Sequence, residues 1–245
     1  MFIPKKSLGQ NYLLDRNIAK IIINSINIYN QTIIEIGPGT GKITDEIIKQ
    51  APKSLIIIEK DNQLYEFLLM KYINVSNIKI IHIDAFDYDY SKHKNVKIIS
   101  NLPYNICTKL IIKLLCNYKT ISQMIFMVQK EVANKMNYNK NNKNNKLKLI
   151  VQSASNFEII HNLSNKVFYP KPKVQSSIIK IIPKNNIEIN FQKLLIFAKE
   201  IFRNKRKKIK NICKLNLIDK KFNNLIDKRA EDLTTNELLY LFNKF

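Results

Sequence analysis

The stretch TIIEIGPGTGKIT, Thr32 to Thr44, decides the fold. Its opening TIIEI is a short apolar run bounded by glycine, which reads as a buried strand rather than a piece of helix. Gly37, Gly39 and Gly41 then form a G-x-G-x-G turn, and a helix opens around Thr40 to Thr44. Glycines there permit a tight turn and let the backbone approach a ligand closely. The chain holds only four glycines in 245 residues. All but Gly9 fall in this one loop, so it stands out against a sequence that otherwise avoids the residue.

Outward from the loop, the next apolar run, SLIIIEKD, ends at Glu59, about 20 residues on, where a doubly wound sheet presents an acid to ribose hydroxyls. A third run ends in IDAF and puts Asp84 at another strand terminus, suited to accept a hydrogen bond from an adenine amine. Each acid has a bland reading as a strand-end cap. The glycine spacing, with Glu35 just ahead of it, resembles the S-adenosylmethionine pocket of class I methyltransferases. It lacks the G-x-G-x-x-G fingerprint of nicotinamide enzymes, and no phosphate-binding P-loop is present.

The runs TIIEI, SLIIIE, IKIIHID and VKIIS alternate with amphipathic stretches. That pattern predicts a parallel sheet with helices on both faces, a Rossmann-like α/β fold. QMIFMVQ follows, then a weak run over Phe157 to His161, then SSIIKII; the last two flank a proline-rich loop and predict an antiparallel pair at one edge. Asp15 to Ile26 reads as a helix capped by Asp15, and KKSLGQNYL before it as a loop. Asn137 to Lys146, NYNKNNKNNK, has no apolar face to bury and is expected to be an exposed loop. Beyond IIPKNN only helices are expected, over Phe191–Phe202, Lys205–Lys214, Lys221–Lys228 and Thr235–Phe245. The expected division is a catalytic domain over 1–184 and a small helical domain over 185–245.

Lys and Arg number 41 against 19 acids, a formal charge of +22. Such a field holds polyanions, so nucleic acid is the first suspect. Lysine-rich coding is the alternative, since Ile and Asn are also in excess, and clustering has to decide. The densest run, FRNKRKKIKN over Phe202 to Asn211, is expected on a helix, with Arg203, Lys205, Arg206, Lys207 and Lys208 touching phosphates. Cys107, Cys116 and Cys213 show no C-x-x-C spacing and suggest buried thiols in a reducing compartment. His82, His93 and His161 make no metal-ligand pattern, and His82 reads as a strand-end residue. No uncharged run reaches about 18 residues. The N-terminus shows no signal-peptide core, so a cytoplasmic protein is expected, and separately a monomer.

NLPY, Asn101 to Tyr104, follows the fourth strand and should line the same cleft. An exocyclic adenine amine is a poor nucleophile because its lone pair is delocalised into the ring. Hydrogen bonds from that NH2 to the Asn101 side-chain oxygen and to a carbonyl at Leu102 or Pro103 would draw the lone pair toward an electrophile. Pro103 fixes the loop, and Tyr104 can stack on a base that has left its helix. Standing alone, NLPY would read as a proline turn with a capping Asn.

It stands with KKSLGQNYLLD, EIGPGTGKIT, IEKD, DAF, NLPYNI, MVQKEVANKM, VFYPKPKVQSSI, IFRNKRKKIKN and RAEDLTTNELLYL. In that order these motifs resemble the KsgA-type ribosomal RNA adenine dimethyltransferases nearly end to end. The resemblance implies that Asn11, Leu13, Gly37, Glu59, Asp84 and Asn101 hold S-adenosylmethionine. It implies that Asn101 and Tyr104 act on the target adenine and that Phe168 packs on the base from the other side. It further implies that the substrate is a pair of adjacent adenosines near the 3′ end of small-subunit rRNA, met in an immature subunit. One departure occurs: NKLK at Asn145 to Lys148 replaces the usual Gly-x-Leu-Ser. Two alternatives share the fold, a large-subunit rRNA methyltransferase of the antibiotic-resistance type and a non-catalytic nucleic-acid-binding factor.

Overall fold

The structure is a computed structural model, and it describes residues 2–5, 8–137, 143–184, 188–204, 207–212 and 225–245, the Asn105 side chain excepted. The chain folds into two compact units, 1–133 with 158–183 and 134–157 with 184–245. The division therefore differs from a single cut at 184/185, because the segment 134–157 joins the second unit.

In the first unit, β1 (Tyr12–Leu13) leads to α1 (Arg16–Asn24), whose N-cap Asp15 accepts the Asn17 amide. Ile18, Ala19, Ile22 and Ile23 give the helix one buried face. Then come β2 (Thr32–Ile36), α2 (Lys42–Lys49), β3 (Ser54–Glu59), α3 (Asn62–Lys71), β4 (Ile78–His82), β5 (Val96–Ser100), α4 (Tyr104–Leu115) and β6 (Ile121–Gln129). After α5 (Lys130–Met136) and α6 (Lys146–Ala154) follow β7 (Ser155–Leu163), β8 (Phe168–Tyr169) and β9 (Ser176–Pro183). One seven-stranded sheet runs β4-β3-β2-β5-β6-β9-β7, and β1 pairs with β8 apart from it.

The strands from β4 to β6 are parallel, and β9 is antiparallel to β6. Ile33, Ile34, Leu55, Ile57, Ile98 and Ile99 are all buried, as expected of strands covered on both faces. The chain winds outward from β2 through β3 to β4, then returns to place β5 on the other side of β2. The crevice between the C-terminal ends of β2 and β5 is the topological switch point where such sheets bind ligands. The weak run at 157–161 belongs to the longer β7, which lies at the edge beside β9.

The second unit packs α6 against α7 (Phe191–Arg203) and α8 (Thr235–Lys244). Leu194, Phe197, Ala198, Ile201, Leu238 and Leu241 are buried, and the Phe197 and Phe242 rings meet at 5.6 Å. Thr234 and Glu237 form a capping box on α8. Two expected helices need correction. Among the described residues of 205–214 there is only a short 3-10 turn, Ile209–Asn211, and 225–228 is turn. Lys208 bridges Arg229, and Lys210 donates its amide to the Ile226 carbonyl. The physical reason is sparse apolar spacing: Ile209 alone among residues 207–211 is buried, too little to hold a helix face.

The Asn-rich loop also needs correction at its described end. Asn144 is buried, with its amide donating to the Leu233 carbonyl at 3.2 Å, so a polar side chain is interred by satisfying it rather than by an apolar face. Asn145, the first residue of the departure NKLK, caps α6 by accepting the Lys148 amide. Cys107 is buried but Cys116 is exposed, against the expectation of buried thiols, because it sits just past the last buried turn of α4. Cys213 lies outside the described residues.

Candidate active site

The glycine loop leaves β2 with Gly37, Gly39 and Gly41 all at positive φ. A Cβ on Gly37, whose φ is +67°, would stand 2.8 Å from Leu102 Cδ2, so a side chain there would be strained by the backbone and would require Leu102 to shift. At Gly41, with φ at +83°, a Cβ would run into the Tyr72 hydroxyl and Lys71 Nζ. Those groups brace the loop: Tyr72 Oη bonds the Gly41 carbonyl at 3.1 Å and Asp45 at 2.7 Å, and Lys71 bonds the Thr40 carbonyl at 3.1 Å.

Glu35 sits fully buried ahead of the loop and accepts the Thr44 hydroxyl at 2.6 Å. Burial outweighs that hydrogen bond and pushes its pKa up to about 8. Its Oε1 has no hydrogen-bond partner among the described residues. At the end of β3, Glu59 Oε1 accepts the amides of Lys60 and Asp61, each at 2.8 Å. Burial raises the Glu59 pKa in spite of those bonds. Beyond β4, Asp84 accepts the Phe86 amide at 2.9 Å and Lys60 Nζ at 2.6 Å. Desolvation there raises the pKa, but the bonds from Lys60 and Phe86 together hold it below the ordinary carboxylate value.

After β5, Asn101 Nδ2 donates to the Asn11 carbonyl at 3.3 Å. That contact fixes which end of the amide is which and leaves Oδ1 as the free acceptor. Asn11, Leu13, Gly37, Gly39, Glu59, Asp84, Asn101, Leu102 and Pro103 all line one cavity at the switch point. Tyr104 and Phe168 are not on its wall. Tyr104 is half-buried with its hydroxyl 2.5 Å from Ser176 Oγ, and Phe168 is buried behind Leu13, its register partner in the β1–β8 ladder.

Sequence reading missed a clasp over this cavity. Gln10 and Tyr12 also line it. Buried Asp61 accepts Lys5 Nζ at 2.8 Å and Gln10 Nε2 at 3.0 Å, while Tyr12 Oη donates to Gln10 Oε1 at 2.7 Å. Asp61 also caps α3. The available signal was an acid two residues past a strand-end acid. Of the expected phosphate contacts, Lys205 and Arg206 lie outside the described residues. Arg203 faces Glu200 at 3.9 Å, Lys208 faces Asp227 at 3.4 Å, and Lys207 is exposed.

A sheet of this order, with a glycine turn after β2 and acids ending β3 and following β4, defines a class I S-adenosylmethionine-dependent methyltransferase. The family model described as ribosomal RNA adenine dimethylase matches residues 1–244, and the chain belongs to that family. Ribosomal RNA small subunit methyltransferase A of Sulfurihydrogenibium sp. (strain YO3AOP1) is 36% identical over 248 residues, covering 98% of this chain and 95% of the relative. The crystal structure of a dimethyladenosine transferase from Plasmodium falciparum superposes with a TM-score of 0.80 at 26% identity, over 95% of this chain and 97% of that one. The 23S rRNA methyltransferase ErmE shares the fold, with a TM-score of 0.69 at 19% identity over 95% and 98%.

Proposed function

We propose that this chain uses S-adenosylmethionine to dimethylate the N6 amines of two adjacent adenosines near the 3′ end of small-subunit rRNA. The observation that carries the reading is the meeting of the glycine loop, Glu59, Asp84 and Asn101 on one cavity in a chain of the ribosomal RNA adenine dimethylase family. The donor set fits the cofactor: the Gly37 and Gly39 backbone reaches the cavity wall without side chains, and the Glu59 and Asp84 carboxylates line the same wall as acceptors for hydroxyls and an amine. Asn11, Leu13, Gly37, Gly39, Glu59, Asp84 and Asn101 would hold it. Bound there, it supplies an electrophilic methyl group.

The rest is done by the chain. Glu59 offers its remaining lone pairs to hydroxyls, and Asp84, fixed by Lys60 and Phe86, accepts from an amine. Asn101 presents Oδ1, with Nδ2 anchored on Asn11, so the acceptor is already oriented when the target amine arrives. A carbonyl of Leu102 or Pro103 takes the second N–H, and the lone pair turns out of the ring. Tyr104, tethered to Ser176, offers a ring face to the extruded base. After transfer the alkylated nitrogen is acidic and loses its proton without a strong base. Phe168 supports this wall from behind Leu13.

The same reading places the enzyme in the cytoplasm as a monomer acting on an immature small subunit, with 185–245 and its Arg203, Lys205, Arg206, Lys207 and Lys208 on RNA phosphates. Among the described residues no helix is long and apolar enough to cross a membrane. The test is incubation with labelled S-adenosylmethionine and methyl-free small or large subunits. Label confined to small subunits supports the proposal. Label only in large subunits overturns it in favour of the antibiotic-resistance type, and no label favours a binding factor.

A further inference from the structure

The loop from Val167 to Gln175 is tied to the site at both ends. At its start, Phe168 and Tyr169 pair with Leu13 and Tyr12, both on the cavity wall, and Leu14 donates its amide to the Val167 carbonyl at 2.8 Å. At its end, Ser176 holds the Tyr104 hydroxyl. Asn165 Nδ2 bonds the Pro172 carbonyl at 3.1 Å and draws the loop together. The surface so placed is unusual in two respects. Lys166, Lys171 and Lys173 are exposed and form no ion pair among the described residues, and no acid occurs between Glu158 and Glu188. By contrast, Arg203, Lys208 and Lys210 each face a carboxylate. Beside these cations, large apolar side chains stand in solvent: Leu14 is 52% exposed, Tyr169 47% and Val174 41%.

We propose that this surface is a docking site for the unpaired RNA that flanks the target adenosine, with Lys166, Lys171 and Lys173 on successive phosphates and Tyr169 stacked on a neighbouring base. Unpaired nucleotides ask for that combination, a track of uncompensated cations with an exposed ring among them. A folded protein partner would ask instead for a continuous apolar centre with charges at its rim. The inference rests on the rRNA methyltransferase reading and adds to it where the substrate strand runs on the catalytic unit.

The experiment measures binding of the full-length protein to methyl-free small subunits across a salt series, and methyl transfer, for K166Q/K171Q/K173Q, Y169A and Y169F. The triple variant should lower the slope of log K against log salt by about 2, from roughly 0.7 per phosphate lost. Its KM for subunits should rise about tenfold or more, with kcat and S-adenosylmethionine affinity unchanged. Tyr169→Ala should weaken subunit binding by about tenfold, and Tyr169→Phe should restore it. An unchanged salt slope together with an unchanged KM overturns the surface, and so does a loss in Tyr169→Ala that Phe fails to rescue. Wild-type transfer to small subunits is scored separately, so a failure of the enzymatic reading is told apart from a failure of this site: the salt slope is read from binding alone.

Discussion

Replacing Asn101 by Ala separates holding the cofactor from driving the chemistry. The side chain makes one hydrogen bond within the described protein, Nδ2 to the Asn11 carbonyl at 3.3 Å, at the long end for an N–H···O bond. As one of the residues that would hold S-adenosylmethionine, Asn101 would contribute about one hydrogen bond, about 1 kcal/mol net, so the cofactor affinity should fall by about fivefold. The free Oδ1 is an acceptor preorganised for the moment when the amine lone pair leaves the ring. Losing such a group costs about 2.7–4 kcal/mol of transition-state stabilisation, a fall in kcat of roughly 10²–10³. Calorimetric titration with the cofactor gives the first quantity and single-turnover methyl transfer the second. A kcat within about threefold of wild type would refute the polarisation argument. A cofactor affinity that falls as far as kcat would reduce Asn101 to a cofactor ligand.

Other perturbations test the frame around it. Gly41→Ala forces a side chain into φ +83° against Tyr72 and Lys71, and should destabilise the fold by about 1–3 kcal/mol, read as a lower Tm. Asp61→Asn keeps an oxygen to cap α3 but loses the charge that attracts Lys5; cofactor affinity should drop about tenfold with kcat at saturation kept, and Lys5→Met should reproduce the effect. The Asp61 pKa is lowered, since burial raises it but the bonds from Lys5, Gln10 and the Gln63 amide together prevail. Its contribution is thus present above about pH 4 and lost as pH falls through that lowered value. Glu35 behaves in the opposite sense. With a folded pKa of about 8 against an ordinary 4.5, it takes up a proton on folding, so stability should decline from about pH 4.5 to 8. Urea titrations of Glu35→Gln should show a flatter profile over that interval, and an unchanged slope would place the titration elsewhere.

The sheet and the cavity were legible because the signals are local and periodic. TIIEI, SLIIIE and VKIIS are continuous apolar runs of strand length, and the glycines and the acid at Glu59 sit at fixed offsets from them. Gly37, Glu59, Asp84 and Asn101 come together because strand termini near a switch point are brought together by topology, whereas Asn11 and Leu13, which reach the cavity from outside the main sheet, were expected only from the family resemblance. What was illegible depends on partners distant in sequence. The clasp joins Lys5 and Gln10 to Asp61, and nothing in a lone acid announces that it will be buried by a chain end more than fifty residues away. Asn144 was misjudged for the same reason: its burial is set by the Leu233 carbonyl rather than by its neighbours. The cationic run after Arg203 misled in another way, since lysine propensity favours a helix while a helix face needs more than Ile209 to bury.

The most direct measurement is nucleoside mapping of the rRNA itself. Methyl-free small subunits would be treated with the protein and S-adenosylmethionine, and the 3′-terminal fragment of their rRNA digested and sequenced by mass spectrometry. Two adjacent N6,N6-dimethyladenosines, formed roughly 10²–10³-fold more slowly when Asn101→Ala replaces the wild type, are the predicted result. Methyl groups found on any other base or atom, or on large-subunit rRNA alone, would contradict the account.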